Sequence, residues 1–273
     1  MSRLAPYTAV VSARYRNLLQ YRAAAFAGFV TQLFWGSIRL MILAAFYAAA
    51  EGPQPMNMVE VVAYVWLGQA LLGMLPWNTD ADFKEQVTSG AVAYDLLRPL
   101  DLYGYWYART LAFRTATTTL RAVPMVVFAM LLLPAFGLAE WALPVPSVTG
   151  LIGFLAAITA AALLSTAITV LAHISMLWTL SGEGVDRILP SFVTILSGMI
   201  VPLPLFPDWM QPFLSWQPFR GLCDVPYRIY SGNIPITEAA NEIAFTLAWT
   251  VVIVWFGRFL LSRGVRRLVV QGG

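Results

Sequence analysis

The sequence predicts an all-α integral membrane protein of six transmembrane helices, and three observations carry that prediction. Mean hydropathy is +0.69, and 59% of the residues are hydrophobic against 11% charged, which is far from a soluble composition. Several apolar runs reach the length of about 18 residues that a membrane helix needs. The charges, 17 basic and 14 acidic, sit at the ends of those runs and in the loops, so they describe topology and argue against nucleic acid as a ligand. With one cysteine, Cys223, and one histidine, His173, there is no internal disulfide and no metal site of ordinary ligand count.

The whole chain, 1–273, reads as a single transmembrane domain. Residues 1–22 form an amphipathic interfacial helix, because Leu4, Tyr7, Val11, Tyr15, Leu18 and Leu19 share an arc flanked by Arg3, Arg14 and Arg16, arginines placed to snorkel to headgroups. The alternative is an N-terminal extension of the first span. No signal-peptide core or cleavage site precedes that span, so it is expected to stay in the mature protein.

Residues 23–50 and 58–76 are the first two spans, a hairpin joined by a short proline-rich turn. Arg39 lies inside the first span, where an ionisable residue is a functional candidate; otherwise it reaches outer headgroups or pairs with Glu60.

Residues 78–109 are the long polar interruption of the chain, with five acidic residues, one lysine and two arginines, too long and too charged for a mere connector. Thr79 and Asp82 have capping-box spacing, Asp80 and Lys84 are an i,i+4 pair, Phe83 and Val87 share a face, and Gly90 is a natural stop. A short amphipathic helix over about 80–89 follows, with Phe83 and Val87 expected to face a partner. Pro99 ends any helix after it, and Tyr103, Tyr105, Trp106 and Tyr107 suit the membrane interface.

Residues 110–139 are the third span. Thr110, Arg114, Thr117, Thr118 and Arg121 share one face. That stripe either lines a path for anionic groups, with Arg114, Thr118 and Arg121 as candidates, or is a cytoplasmic extension of a span already long enough. The second is favoured, because an uncompensated arginine in hydrocarbon costs about 2.5–3.5 kcal/mol.

Residues 148–180 are the fourth span, longer than the bilayer core requires, with His173 near its end as a packed or hydrogen-bonded residue rather than a catalyst. The second charged turn follows, with Glu183, Asp186 and Arg187. Residues 188–206 are the fifth span. It dissolves into 202–235, where seven of the 17 prolines and Trp209 and Trp216 fall. Such backbone cannot cross hydrocarbon while exposed to lipid, so an outer re-entrant helical hairpin is expected between spans five and six, with Pro202, Pro204, Trp209 and Trp216 as outer gate candidates. Residues 243–261 are the last span, and the basic clusters at both ends of the chain place both termini in the cytoplasm.

No phosphate-binding loop occurs, and with one lysine in the chain none could. No carboxylate lies mid-span, so a proton relay is unsupported, and no nucleophile elbow, histidine pair or intramembrane Asp pair suggests a hydrolase. No catalytic residue is assigned.

The order of the N-terminal helix, the loop TSGAVAYDLLRPLDLY, the segment PLPLFPDWMQPFLSWQPFRGL and the ending RGVRRLVVQGG resembles the permease subunit of ABC transporters of the ABC-2 type, among them six-span bacterial exporters of viologen-like drugs. The resemblance covers the whole chain. It implies a non-catalytic permease in the bacterial cytoplasmic membrane, paired with a second permease, identical or related. Two copies of a separate ATPase would bind the ATP and Mg; this chain would hold no cofactor. The main coupling loop is then 78–109, with Asp80, Asp82, Phe83, Lys84, Glu85, Val87, Asp95 and Arg98, and the minor one contains Glu183, Asp186 and Arg187. The 1–22 helix corresponds to the family's connecting helix. Export of an amphiphilic small molecule or lipid by alternating access is the activity implied. The alternative is a secondary transporter or channel without an ATPase, which matching broken helices in the two halves would favour.

Overall fold

The computed structural model describes residues 4–20, 22–179 and 183–265, and every regular element among them is helical. The first helix, α1 (Ala5–Leu18), starts with a proline in its first turn, where a missing N–H costs nothing. It lies along a later helix rather than by itself: Tyr15 Oη donates to Thr119 Oγ1 at 3.1 Å, and a Cβ on Gly104 would meet the Tyr7 ring at 3.0 Å.

Helix α2 (Arg22–Ala49) has 28 residues, about 42 Å of helix. It returns through α3 (Met58–Ala70), which opens with a full capping box: Asn57 Oδ1 accepts from the Glu60 N–H at 3.0 Å and Glu60 Oε2 accepts from the Asn57 N–H at 2.9 Å. Every residue from Val61 to Ala70 is buried. A helix apolar all round belongs inside a bundle, and α3 is its centre, between α2 and the later helices. After a 3-10 turn at Leu72–Met74 comes α4 (Ala81–Thr88), capped by the Asp80 side chain, which accepts from the Asp82 N–H at 3.1 Å. The cap is therefore Asp80 and not the expected Thr79. Gly90, at φ +76°, stops the helix in the left-handed conformation that glycine adopts without strain.

A 3-10 segment, Ala91–Leu97, leads to α5 (Leu102–Val127), whose N-cap Asp101 accepts from the Gly104 N–H at 2.8 Å. Pro124 lies inside this helix, and a π turn at Phe128–Leu132 carries the chain into α6 (Leu133–Ala135). Proline removes a ladder bond, and the wider π turn re-spaces the carbonyls after it. Helix α7 (Val148–Thr179) has 32 residues, and α8 (Glu183–Leu196) has 14. The irregular stretch after α8 contains α9 (Gln211–Trp216) and α10 (Asp224–Ser231) before the long α11 (Ile236–Gly264).

Four of the six expected spans are long and apolar enough to cross a membrane: Ala25–Ala49, Leu102–Ala135, Val148–Trp178 and Ile236–Gly264. The second and fifth are α3 and α8, with 13 and 14 residues, each about 20 Å against a hydrocarbon core of about 30 Å. The turn after α8 lies at mid-bundle: Gly198, at φ +81°, is packed so closely on Tyr64 that a Cβ there would fall 2.3 Å from its hydroxyl. The proline-rich stretch follows at comparable depth. Trp249 Nε1 donates to the Trp216 carbonyl at 3.1 Å, and Trp249 is 13 residues, about 20 Å, into α11.

Candidate functional site

The expected polar loop is a docked platform. Asp80 is buried, and its carboxylate accepts from Arg14 of α1 at 3.1 Å and lies 3.8 Å from Arg109 of α5. Its N–H donates to His173 Nε2 of α7 at 3.1 Å, which requires the neutral imidazole. The residue before α4 is thus tied to three other helices at once. Arg14 also donates to Asp82 at 2.6 Å. Burial works against the Arg14 charge, but that hydrogen bond and the fields of Asp80 and Asp82 outweigh it and hold the guanidinium above its ordinary pKa. Arg14 was expected at the headgroups; it is turned inward because two carboxylates of the loop lie within its reach.

Phe83 reverses a second expectation. It is 2% exposed, stacked on the His173 ring at 4.1 Å and edge-on to Trp106 at 4.8 Å. Its apolar face is covered by this chain and is not offered to a partner. Val87 packs half-buried beside it. Asp95 is likewise buried, accepting from Trp106 Nε1 at 3.1 Å and from Arg98 Nε at 3.3 Å, while the Arg98 guanidinium sits 4.8 Å over the Tyr105 ring. Arg109 donates to Gln86 at 2.8 Å.

What the platform turns outward is Asp82 and Glu85 on α4 and an apolar group on the 3-10 segment after it. Tyr94 is 72% exposed and Leu97 79%, with Leu96 and Arg98 between and beside them. Lys84 is half-buried. The side chains of Glu183 and Asp186 lie outside the described residues; Arg187, at the start of α8, is exposed.

The basic stripe of α5 does not line an open path. Arg114 is 2% exposed. It donates to the Leu75 carbonyl at 2.8 Å, to Asn78 Oδ1 at 3.2 Å, to Thr169 Oγ1 at 3.2 Å and to the Asn78 carbonyl. The Thr118 hydroxyl is used within its own helix, on the Arg114 carbonyl at 2.6 Å. Arg121, half-buried, rests against Gly28 of α2.

Arg39 does not pair with Glu60. It donates to the Met199 carbonyl and, at 2.8 Å, to the Ile200 carbonyl, just past α8. Glu60 is engaged in its capping box and with Asn233 Nδ2 at 3.1 Å. With its amide oriented to satisfy both neighbours, Gln69 accepts from Arg39 at 3.1 Å. Of the gate candidates, Pro202 is buried, Pro204 half-buried and Trp209 exposed, and Trp216 meets Trp249 edge-on at 5.2 Å.

Sequence reasoning gave no site role to Arg109, Gln86, Asn78, Tyr94, Leu96 and Leu97, and it placed Trp106 at the membrane interface, whereas Trp106 is buried. An exposed apolar Tyr-x-Leu-Leu in a polar loop was the one signal available for Tyr94, Leu96 and Leu97.

Among the described residues no group of acidic, histidine or cysteine side chains could hold a metal ion. No curated protein and no solved structure matches the chain. The helical membrane architecture meets a family model described as an ABC-2 family transporter protein over residues 22–272, and the chain belongs to that family.

Proposed function

We propose that this chain is the membrane permease of an ATP-driven exporter, and that its α4 and Ala91–Leu97 surface is where a separate ABC ATPase docks. The observation that carries the reading is the contrast within one loop. Asp80, Phe83 and Asp95 bind it to α1, α5 and α7, while Tyr94, Leu96 and Leu97 stand exposed. An apolar cluster on a polar loop marks a contact surface, and a platform fixed to three helices can transmit a push to all of them. Six crossings, with α3 and α8 completed by irregular chain buried in the bundle, put both termini on the cytoplasmic side with this platform, in a bacterial inner membrane. The stretch 202–235 then serves as an outer re-entrant hairpin and gate.

Two ATPases and a second permease, identical or related, complete the assembly, and ATP and Mg belong to the ATPases. The start of α8, with Glu183, Asp186 and Arg187, is a second, smaller contact. The cargo is an amphiphilic small molecule or lipid, moved by alternating access.

The experiment is affinity purification of the tagged chain from its native membrane in gentle detergent, with co-eluting proteins assayed for ATP hydrolysis. The expected result is a stoichiometric ATPase lost on Tyr94→Asp or Leu97→Asp at unchanged yield of the permease. Phe83→Asp is expected to loosen the platform itself and so lower the yield. Recovery of the chain without an ATPase, its transport intact, would overturn the reading in favour of a carrier or channel.

A further inference from the structure

A second groove among the described residues lies away from the platform. About 750 Å³ in volume, it runs between α1, the first half of α5 and the last third of α11, within the ~300–1,000 Å³ typical of ligand sites. Leu4, Tyr7, Val11, Tyr107, Leu111 and Val254 make its walls largely apolar, and Arg16, Asp101 and Arg258 are its charged lining residues. At the rim Arg258 pairs with Asp101 at 2.9 Å and lies over the Tyr103 ring at 4.9 Å. Arg16, also on the rim, is exposed and has no ion pair among the described residues. The Tyr103 hydroxyl, buried in the lining, has no hydrogen-bond partner among them.

We infer that this groove holds an acyl chain of an anionic membrane phospholipid, with its phosphate-bearing headgroup beside Arg16. An apolar trough formed by the ends of two membrane-length helices opens onto lipid, and a hydrocarbon chain is what fills such a surface. The rim carries two arginines against one aspartate, so the free charge is positive and its complement is an anion. Tyrosines and arginines at one level are the side chains that sit at headgroup depth. The lipid fills the space between α1 and α11, which binds the N-terminal helix to the bundle in addition to its Arg14 contacts.

The inference rests on the chain's placement in a membrane and not on an ATPase, and its test involves no partner. Full-length protein in detergent is titrated with dioleoyl phosphatidylglycerol or dioleoyl phosphatidylcholine, and bound lipid is counted by native mass spectrometry. One basic residue at a membrane surface corresponds to about a five-fold preference for the anionic lipid. Wild type is expected to retain one phosphatidylglycerol with that preference, and Arg16→Gln to bind both lipids equally. Val254→Trp, which fills the groove from the bundle side, and Thr8→Trp, which fills it from exposed α1, are each expected to lose the retained lipid, with helix content unchanged by circular dichroism. Equal retention of both lipids by wild type overturns the anionic assignment. Undiminished retention in both tryptophan variants overturns the site.

Discussion

Arg114 and Arg39 each project from a long helix into the bundle, and each meets the end of a short one. Arg114 reaches the carbonyls of Leu75 and Asn78, just past α3 and its 3-10 turn, and Arg39 reaches those of Met199 and Ile200, just past α8. The two short helices are the ones that cannot span a bilayer alone. The irregular chain beyond a helix end carries carbonyls that no helical ladder satisfies, and in hydrocarbon no water supplies the missing donors. A guanidinium offers five donors, so one residue serves several of them.

The two sites differ in how completely they do so. Around Arg114 two more acceptors, Asn78 Oδ1 and Thr169 Oγ1, join the carbonyls, and the Asp80 carboxylate stands close by in the same loop. Around Arg39 the surroundings are under-satisfied: its own Nε and both amide atoms of Gln32 are buried with no partner among the described residues. The lesson is that a buried arginine in this bundle marks an interrupted helix, and that every guanidinium nitrogen of Arg114 has a partner whereas the Nε of Arg39 has none among the described residues.

If this contrast is right, Arg114→Leu has the largest effect. An orphaned buried acceptor costs about 1–3 kcal/mol, so stranding two carbonyls and two side-chain acceptors should cost about 4 kcal/mol in detergent-denaturant unfolding. Lysine should not rescue it, because a single ammonium cannot serve acceptors placed for a planar fork. Asp80→Asn comes next, at about 3 kcal/mol, since it leaves Arg14 and Arg109 facing a neutral amide in a buried setting. Arg39→Leu should cost only about 2 kcal/mol, because it strands two carbonyls and one side-chain oxygen and also removes a buried Nε that has no partner among the described residues. A lysine at that position should restore much of the loss. Equal costs at 114 and 39, or equal rescue, would break the comparison. The smallest effect belongs to Gln32→Leu: removing an amide that has no partner should leave stability within about 1 kcal/mol of wild type, on the stabilising side. A loss above that would mean that water or another polar group completes the Arg39 site.

Much of the architecture was legible residue by residue. The short helix after Asn78, its stop at Gly90, the long run of α7 and the failure of regular helix after Pro202 all rest on local chemistry: capping, the left-handed glycine, hydropathy and proline. The site was legible only by half. That Phe83 and Val87 share a face follows from helical period, but whether a partner or the chain itself covers that face does not, and His173, 90 residues away, was read as packed without a hint of what it packs on. Arg14 was read as a headgroup anchor because its carboxylate partners are 66 and 68 residues further along the chain. The stripe of Arg114, Thr118 and Arg121 was seen correctly as a stripe, whereas its role at a helix end depended on where α3 stops.

The sequence by itself therefore determined the class of the molecule, the family to which it belongs, the position of its polar loop and the places where helices begin and fail, since hydropathy and backbone propensity act over a few residues. The tertiary structure alone decided which faces are covered, which charges meet and how two short helices end inside the bundle. Those outcomes hang on contacts between residues far apart in the chain, and a hydrogen bond to a stranded carbonyl leaves no periodic trace along it.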